Sequence, residues 1–207
     1  MNEAGTDFPP GAFDRIDEGD DSAFYAPSRL VTHIDERAIA ALTACYRTEL
    51  SPGDQVLDLM SSWVSHLPPE LQLGECVGHG MNAEELAANP RLDAWFVQDL
   101  NRHFALPFGS ARFDAALCCV SVQYLQNPVA VFAEVRRLLR PGAPFIVSFS
   151  NRCFPTKAVA IWRALDLPRH AGLVGAYAER AGFVAVEARL LVNGGAGDPL
   201  VAVIARA

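Results

Sequence analysis

The feature that most constrains this chain is an alternation of short apolar runs with amphipathic helical segments. Apolar runs at 55–59, 113–120 and 145–149 are bounded by turn residues, which is typical of strands buried on both faces of a sheet. Such an alternation requires crossover connections, and these build a largely parallel sheet with helices on both sides. We therefore predict an α/β fold with three layers.

Element boundaries follow from the same periodicity. Strands are predicted at 55–59, 75–77, 94–97, 113–120 and 145–149, helices at about 30–50, 83–88, 129–139 and 173–181, and a helix or loop at 63–72. Near the end of the sequence, FVAVEARLLV and PLVAVIARA are separated only by NGGAGD. Two consecutive strands without a helix between them pair antiparallel, so a C-terminal hairpin is predicted to close one edge of the sheet.

The first 28 residues differ from the rest, because they are rich in acids, proline and glycine and cannot form a regular element alone. Phe24 and Tyr25 indicate that part of this segment docks on the body, since a fully solvated tail gains nothing from aromatic side chains. We predict an acidic tail or lid at 1–28 and one domain at 29–207, a length that supports a single core.

Composition excludes several classes of partner. A net charge of −7 without a cluster of basic residues argues against binding to nucleic acid. No apolar run reaches the roughly 18 residues that span a membrane, and the first residues are acidic where a signal peptide is basic, so a cytoplasmic location is expected. The five cysteines lack CxxC spacing and the five histidines lack metal-binding spacing, so neither a disulfide framework nor a metal site is predicted.

Several motifs occur in a fixed order over residues 35–207. They are VLDLMSSWV at 56–64, Asp99, LPF at 106–108, FDAALCCVSVQYLQNP and VFAEVRRLLRPGAPFIVSFSN. This succession resembles the small, single-domain class I S-adenosylmethionine-dependent methyltransferases, in which the first motif usually reads VLDLGCGTG. The resemblance implies a Rossmann-like sheet, S-adenosyl-L-methionine as cofactor, and transfer of a methyl group to a small-molecule acceptor by a monomer or homodimer.

Two positions depart from the pattern of that family. The first loop, within DLMSSWVSHLP, contains no glycine, although glycines there let the backbone approach the cofactor closely. Gly80 stands where the family has the acidic residue that binds the ribose. Asn82 or a backbone carbonyl would then accept the ribose hydroxyls, and Gly78 and Gly80 would bring the backbone near the ribose. Because neutral acceptors are weaker than carboxylates, we expect weaker binding of the cofactor.

The resemblance assigns cofactor contacts to residues that follow the predicted strands: Asp58, Met60, Ser61, Ser62, Gly80, Met81, Asn82, Asp99, Leu100, Asn101 and Ser121. Asp58 falls in a buried strand, so its carboxylate needs partners. The segment 99–101 matches the adenine-binding segment, with a loop cap as the alternative.

The sequence also predicts a substrate pocket, partly at the carboxyl ends of the fourth and fifth strands, where parallel sheets gather ligands, and partly from the aromatic N-terminal lid and the histidine beside it. Its residues are Phe24, Tyr25, His33, Gln123, Tyr124, Asn151 and Arg152. His33 is a base or a structural residue, Tyr124 a pocket residue or a packing residue, and Arg152 an anion-binding residue or a solvated one.

No catalytic residue is assigned, because methyl transfer is an in-line displacement in which the protein mainly aligns the reactants and excludes water. A non-catalytic domain that binds another ligand or a protein partner is the main alternative. A nicotinamide-dependent oxidoreductase is disfavoured, because no GxGxxG follows the first strand.

Overall fold

Seven strands form one sheet in the computed structural model, which describes residues 8–207. The strands are β1 (Gln55–Leu59), β2 (Glu75–Gly80), β3 (Ala94–Val97), β4 (Ala115–Cys119), β5 (Pro144–Phe149), β6 (Val184–Val192) and β7 (Leu200–Arg206), in the order β3-β2-β1-β4-β5-β7-β6. β1 to β5 pair in parallel, whereas β7 pairs antiparallel with both β5 and β6. The predicted α/β sheet with a C-terminal antiparallel hairpin is confirmed.

Helices cover both faces of this sheet. They are α1 (Asp21–Tyr25), α2 (Glu36–Glu49), α3 (Ala83–Ala88), α4 (Pro128–Leu138), α5 (Ala160–Arg163) and α6 (Leu167–Arg180), with a short 3-10 turn at Val122–Tyr124. Buried residues of α2 join one apolar cluster with β1, β4 and β7, and those of α4 and α6 join the cluster on the opposite side. The three layers follow from these two clusters.

The helix predicted from about residue 30 begins later, at Glu36. The side chain of Asp35 accepts a hydrogen bond from the backbone N–H of Ala38 at 2.8 Å, and this cap fixes the start of α2. Leu30 and Val31, which the apolar pattern placed in the helix, are instead exposed in an irregular segment.

Other boundaries also shift. β2 continues to Gly80, three residues beyond its predicted end, and β4 is shorter than predicted, because Phe113 makes only an isolated bridge to Leu139. Residues 63–72 contain no helix. α6 begins at Leu167, where the carboxylate of Asp166 caps it. The periodicity did not predict α1, α5 or the 3-10 turn, which are all shorter than two helical turns.

The segment of residues 8–31 packs on the body through a buried ion cluster. Lys157 is the only lysine of the sequence and is 1 % exposed. Its Nζ lies 2.9 Å from Oδ1 of Asp21 and donates to the carbonyl oxygen of Gly19 at 2.9 Å. Arg15 donates to both carboxylate oxygens of Asp21, at 2.9 and 2.7 Å. This ion cluster fixes α1 against the body, whereas residues 1–7 of the predicted tail lie outside the described residues.

Over residues 8–207, no helix has the length and the apolar composition needed to cross a membrane.

Candidate functional site

A cavity of about 600 Å³ opens at the carboxyl ends of β1, β2 and β4. This is the edge at which an open parallel sheet binds its ligands. Every predicted cofactor-binding residue lines it: Asp58, Met60, Ser61, Ser62, Gly80, Met81, Asn82, Asp99, Leu100, Asn101 and Ser121. Of the predicted substrate-pocket residues, Tyr25, His33, Tyr124 and Arg152 also line it.

Three predicted substrate-pocket residues lie outside the cavity. The ring of Phe24 packs behind its wall, with centroid distances of 4.9 Å to Tyr25 and 5.4 Å to Phe154. Gln123 is buried in the 3-10 turn, where its Nε2 donates to the carbonyl oxygen of Val120. Asn151 is exposed, and its side chain contacts Ser150. Position after a strand predicted the contacts of Gln123 and Asn151, but the turn of the backbone directs these two side chains elsewhere. Phe24 was predicted as an aromatic residue of the lid.

Asp58 is the buried carboxylate of the site. Its Oδ2 accepts hydrogen bonds from the hydroxyls of Ser61 and Ser65, each at 2.6 Å, and the residue is 3 % exposed. Burial raises its pKa from 3.8 to about 6, against the opposing effect of the two serine hydrogen bonds. No cationic side chain within residues 8–207 forms an ion pair with Asp58. The carboxylate is therefore desolvated and faces a cavity without a counter-charge.

The glycine-free loop after β1 is held by a histidine of the neighbouring strand. Met60 has a φ of 55°, a backbone conformation that favours glycine. The N–H of Met60 donates to Nδ1 of His79 at 3.1 Å, and the N–H of Ser61 donates to the His79 carbonyl oxygen at 2.6 Å. Nδ1 therefore acts as an acceptor, so Nε2 carries the proton and donates to the carbonyl oxygen of Gln98 at 2.9 Å. Burial lowers the pKa of His79 to about 4, which keeps the ring neutral.

The two glycines of β2 serve packing within the protein. A Cβ on Gly80 would lie 2.5 Å from the carbonyl oxygen of Ser61, and one on Gly78 would collide with Cδ1 of Leu92. The space beside these glycines is occupied by the loop after β1 and by Leu92, whereas Gly80 also lines the cavity, so an approach of its backbone to a ribose stays a prediction. Gly80 is what allows that loop to approach β2.

Two asparagines predicted as ligand contacts bind other parts of the chain. Oδ1 of Asn82 caps α3 by accepting from the N–H groups of Glu84 and Glu85, and its Nδ2 donates to the carbonyl oxygens of Tyr25 and Ala26. Nδ2 of Asn101 donates to the carbonyl oxygen of Tyr124 at 3.1 Å. The side chains of both residues therefore hold protein segments together.

Asp99 makes the loop cap that was the alternative to adenine binding. Its Oδ1 accepts from the backbone N–H of Asn101 at 2.9 Å, and its carboxylate lies 3.5 Å from Nε of Arg102.

Several cavity residues were not predicted from the sequence, among them Trp63, His66 and Glu85. Glu85 accepts from the N–H of Arg29 at 2.7 Å and from the hydroxyl of Ser62 at 2.5 Å. The sequence does contain a signal for Glu85: an asparagine cap, Asn82, followed three positions later by glutamate marks the start of a helix. Trp63 gives no such signal; its Nε1 donates to the carbonyl oxygen of Val31, 32 positions earlier in the chain.

An aromatic wall closes the cavity on the side of the segment after β5. The ring of Phe154 stacks on Tyr124 at 5.8 Å and contacts His33 edge-on at 5.7 Å. The guanidinium of Arg29 lies 5.5 Å from the centre of the same ring. The backbone N–H of Phe154 donates to the hydroxyl of Tyr124 at 2.8 Å, which fixes the position of the wall.

A family model described as a methyltransferase domain matches residues 72–147, from the start of β2 into β5. Over these residues the chain resembles a methyltransferase domain. The match begins after the loop that follows β1, and this loop is the part whose sequence departs most from the first motif of the methyltransferases.

This chain is only distantly similar to the individual proteins that it matches. It is 31% identical over 72 residues to a biotin biosynthesis bifunctional protein, BioHC, of Teredinibacter turnerae, a match that covers 35% of the chain but only 12% of that protein.

Solved structures share its fold at low identity. The 1,6-didemethyltoxoflavin-N1-methyltransferase of Burkholderia thailandensis has a TM-score of 0.61 at 19% identity, with 83% of this chain and 79% of that chain covered. The cyclase SpnF has a TM-score of 0.62 at 15% identity, with 90% of both chains covered. At these identities the structures show the fold alone.

Proposed function

We propose that this domain binds S-adenosylmethionine in the cavity and transfers its methyl group to a small-molecule acceptor. The observation that carries the proposal is the buried carboxylate of Asp58, which faces the cavity without a cationic partner. A ligand with a sulfonium and an ammonium group would supply the missing positive charge, and a desolvated ion pair of this kind is much stronger than one in water.

The charge of the cavity wall supports the same class of ligand. Its carboxylates are Asp21, Asp35, Asp58, Glu85, Asp99 and Asp198, whereas its only guanidinium groups within the part of the chain described are those of Arg29 and Arg152. Such a wall favours a cation over the phosphates of a dinucleotide, because like charges repel more strongly in a partly desolvated cleft.

The cavity also has room for the cofactor. Its volume of about 600 Å³ lies within the range of roughly 300 to 1,000 Å³ that small-molecule sites occupy. Trp63 stands where a glycine loop would be open, but its Nε1 is held by Val31, and neither it nor Met60 closes the space. The residues after β1 therefore leave room for S-adenosylmethionine.

The protein's contribution to the transfer would be binding, alignment and exclusion of water. The cofactor supplies an activated methyl group on a positively charged sulfur. Asp58 would bind the positive charge, and Ser61 and Ser65 hold its carboxylate in place. Tyr25 and Arg29, which belong to the docked segment 8–31, form one wall and shield the reacting centre from solvent.

Calorimetric titration with S-adenosylmethionine and S-adenosylhomocysteine tests the proposal. We expect both to bind, with S-adenosylmethionine bound more tightly because it carries the sulfonium charge. Binding of NADH in place of both compounds, or an absence of heat with both, would contradict the proposal.

Glu85 is expected to take over the ribose contact that the acid at the end of β2 makes elsewhere in the superfamily. Glu85 lines the same cavity as Gly80, and its carboxylate keeps lone pairs beyond those used by Arg29 and Ser62. Glu85→Gln should raise the Kd for S-adenosylhomocysteine by roughly tenfold, because hydrogen bonds to a charged acceptor contribute about 1.5 kcal/mol or more.

The neighbouring Glu84→Gln is the matched control for this prediction. Glu84 is exposed, lies in the same helical turn and does not line the cavity. Equal effects of the two substitutions would show that the loss comes from the helix terminus and not from the cavity.

A further inference from the structure

His66 is a cavity residue that has no role in holding the fold through its side chain. The imidazole lines the cavity and makes no hydrogen bond to any other residue between 8 and 207. Its backbone is fixed instead: φ is 54°, and the carbonyl oxygen accepts from the hydroxyl of Thr43 at 2.8 Å. The residue before it, Ser65, donates to Asp58. His66 therefore presents an unpartnered ring from the loop that also positions the buried carboxylate.

The surroundings of His66 keep its ring neutral. Desolvation lowers its pKa, and the positive charge that His33 would carry lowers it further. The pKa of His33 is lowered by desolvation and by Arg29, whereas the carboxylate of Glu85 opposes this shift. A neutral imidazole in a cavity can accept a proton at physiological pH, which is the requirement for a general base.

Part of the cavity wall consists of ring-bearing side chains. Tyr25, Trp63, Tyr124 and Phe154 line the cavity together with His33 and His66. Flat aromatic walls select flat rings, because stacked and edge-on contacts add to the gain from burial. A ring O–H or N–H is a poor nucleophile until it loses its proton, so an acceptor of this class needs a base.

We propose that His66 is the general base of the transfer and that the acceptor carries its nucleophile as an O–H or N–H on an aromatic ring. The inference rests on the proposed function. His66 accepts the proton, the electron pair of the broken O–H or N–H bond forms the new bond to the methyl carbon, and the pair of the broken carbon–sulfur bond stays on sulfur. The imidazolium then releases its proton to solvent.

The test uses phenols of graded acidity as acceptors, phenol itself and 4-nitrophenol, with isotopically labelled S-adenosylmethionine at neutral pH. His66→Asn is the variant, because asparagine is also tolerated at positive φ and the fold should be retained. We expect kcat/KM for phenol to fall about 100-fold, as is typical on loss of a general base. For 4-nitrophenol, which ionises substantially without help, the loss should be small. His103→Asn, at an exposed histidine outside the cavity, should change neither rate.

Every other outcome overturns the inference. An equal loss for both phenols would make His66 a positioning or structural residue, and no loss would remove it from the reaction. If the unmodified protein binds S-adenosylhomocysteine but methylates neither phenol, the aromatic acceptor is wrong while the proposed function stands. If S-adenosylhomocysteine does not bind, the proposed function itself fails.

Discussion

Asp58→Asn is expected to stabilise the protein and to weaken binding of S-adenosylmethionine at the same time. Burial raises the pKa of Asp58 from 3.8 to about 6, so at neutral pH the native state carries a desolvated charge. Removing that charge should raise the free energy of unfolding by about 3 kcal/mol, the equivalent of the pKa shift. The amide oxygen can still accept from Ser61 and Ser65, so the loop should keep its structure.

The loss of binding should be large because Asp58 would provide the main counter-charge of the cofactor. We expect Kd for S-adenosylmethionine to rise at least about 100-fold, since one close ion pair at a partly buried site contributes up to about 4 kcal/mol. Chemical denaturation and calorimetry measure the two effects separately. A variant that lost both stability and affinity would show that Asp58 is a structural residue.

The pH dependence of the unmodified protein follows from the same pKa. Because the folded pKa of Asp58 lies above its unfolded value, its contribution favours folding at pH below 3.8 and is lost as the pH rises through about 6. Affinity for S-adenosylmethionine should show the opposite trend and weaken below pH of about 6, where Asp58 becomes protonated.

Asp114→Asn is the control for both predictions about Asp58, the one on stability and the one on affinity for S-adenosylmethionine. Asp114 is a half-buried carboxylate at the opposite end of the sheet, where it accepts from the N–H of Gln55 at 2.9 Å and pairs with Arg140. Its substitution should lower stability slightly and leave the pH dependence of cofactor affinity unchanged.

Lys157→Met is expected to lower the free energy of unfolding by about 3 kcal/mol, because it removes one of the two cations that compensate a buried carboxylate. The affected charge is the carboxylate of Asp21, which is 6 % exposed and keeps only Arg15 as a cationic partner. The segment 8–31 should then be cleaved by proteases faster than in the unmodified protein, and the cavity should lose the wall formed by Tyr25 and Arg29.

Arg102→Met is the comparison for Lys157→Met. Arg102 also lies close to an acid of the segment, at 3.5 Å from Asp20, but both side chains are about half exposed. Exposed ion pairs contribute at most about 1 kcal/mol. If the two substitutions cost the same, burial of the cluster is not what holds the segment.

The sheet could be predicted because its signals are local. Short apolar runs bounded by turns gave β1, β3 and β5 to within a residue, and the missing helix before β7 gave the hairpin. The start of α2 was misplaced, because Leu30 and Val31 continue the apolar pattern although the cap at Asp35 ends it. Apolarity alone does not show where a polar side chain satisfies the first backbone N–H groups.

The cavity was predictable as a location but not in its contacts. The predicted strand ends located every predicted cofactor residue correctly in the cavity wall, because the carboxyl ends of parallel strands meet at one edge of the sheet. The side chains of Asn82 and Asn101 are occupied by partners such as Tyr25 and Tyr124, which are distant in sequence. His79 bonding to Met60 is of the same kind, because only the folded sheet brings the two residues together. Hydrogen bonds between residues that are distant in sequence leave no periodic pattern in the sequence and could not be predicted from it.

Because a single lysine is buried beneath the segment 8–31, the opening of that segment can be measured by chemical modification. Acylating reagents reach an ε-amine only when it is exposed, so the rate at which Lys157 becomes acylated would report how often the segment lifts from the body. Saturation with S-adenosylhomocysteine should slow that rate if the wall closes on a bound ligand. No label needs to be introduced, because the chain carries its own reporter of access to the cavity.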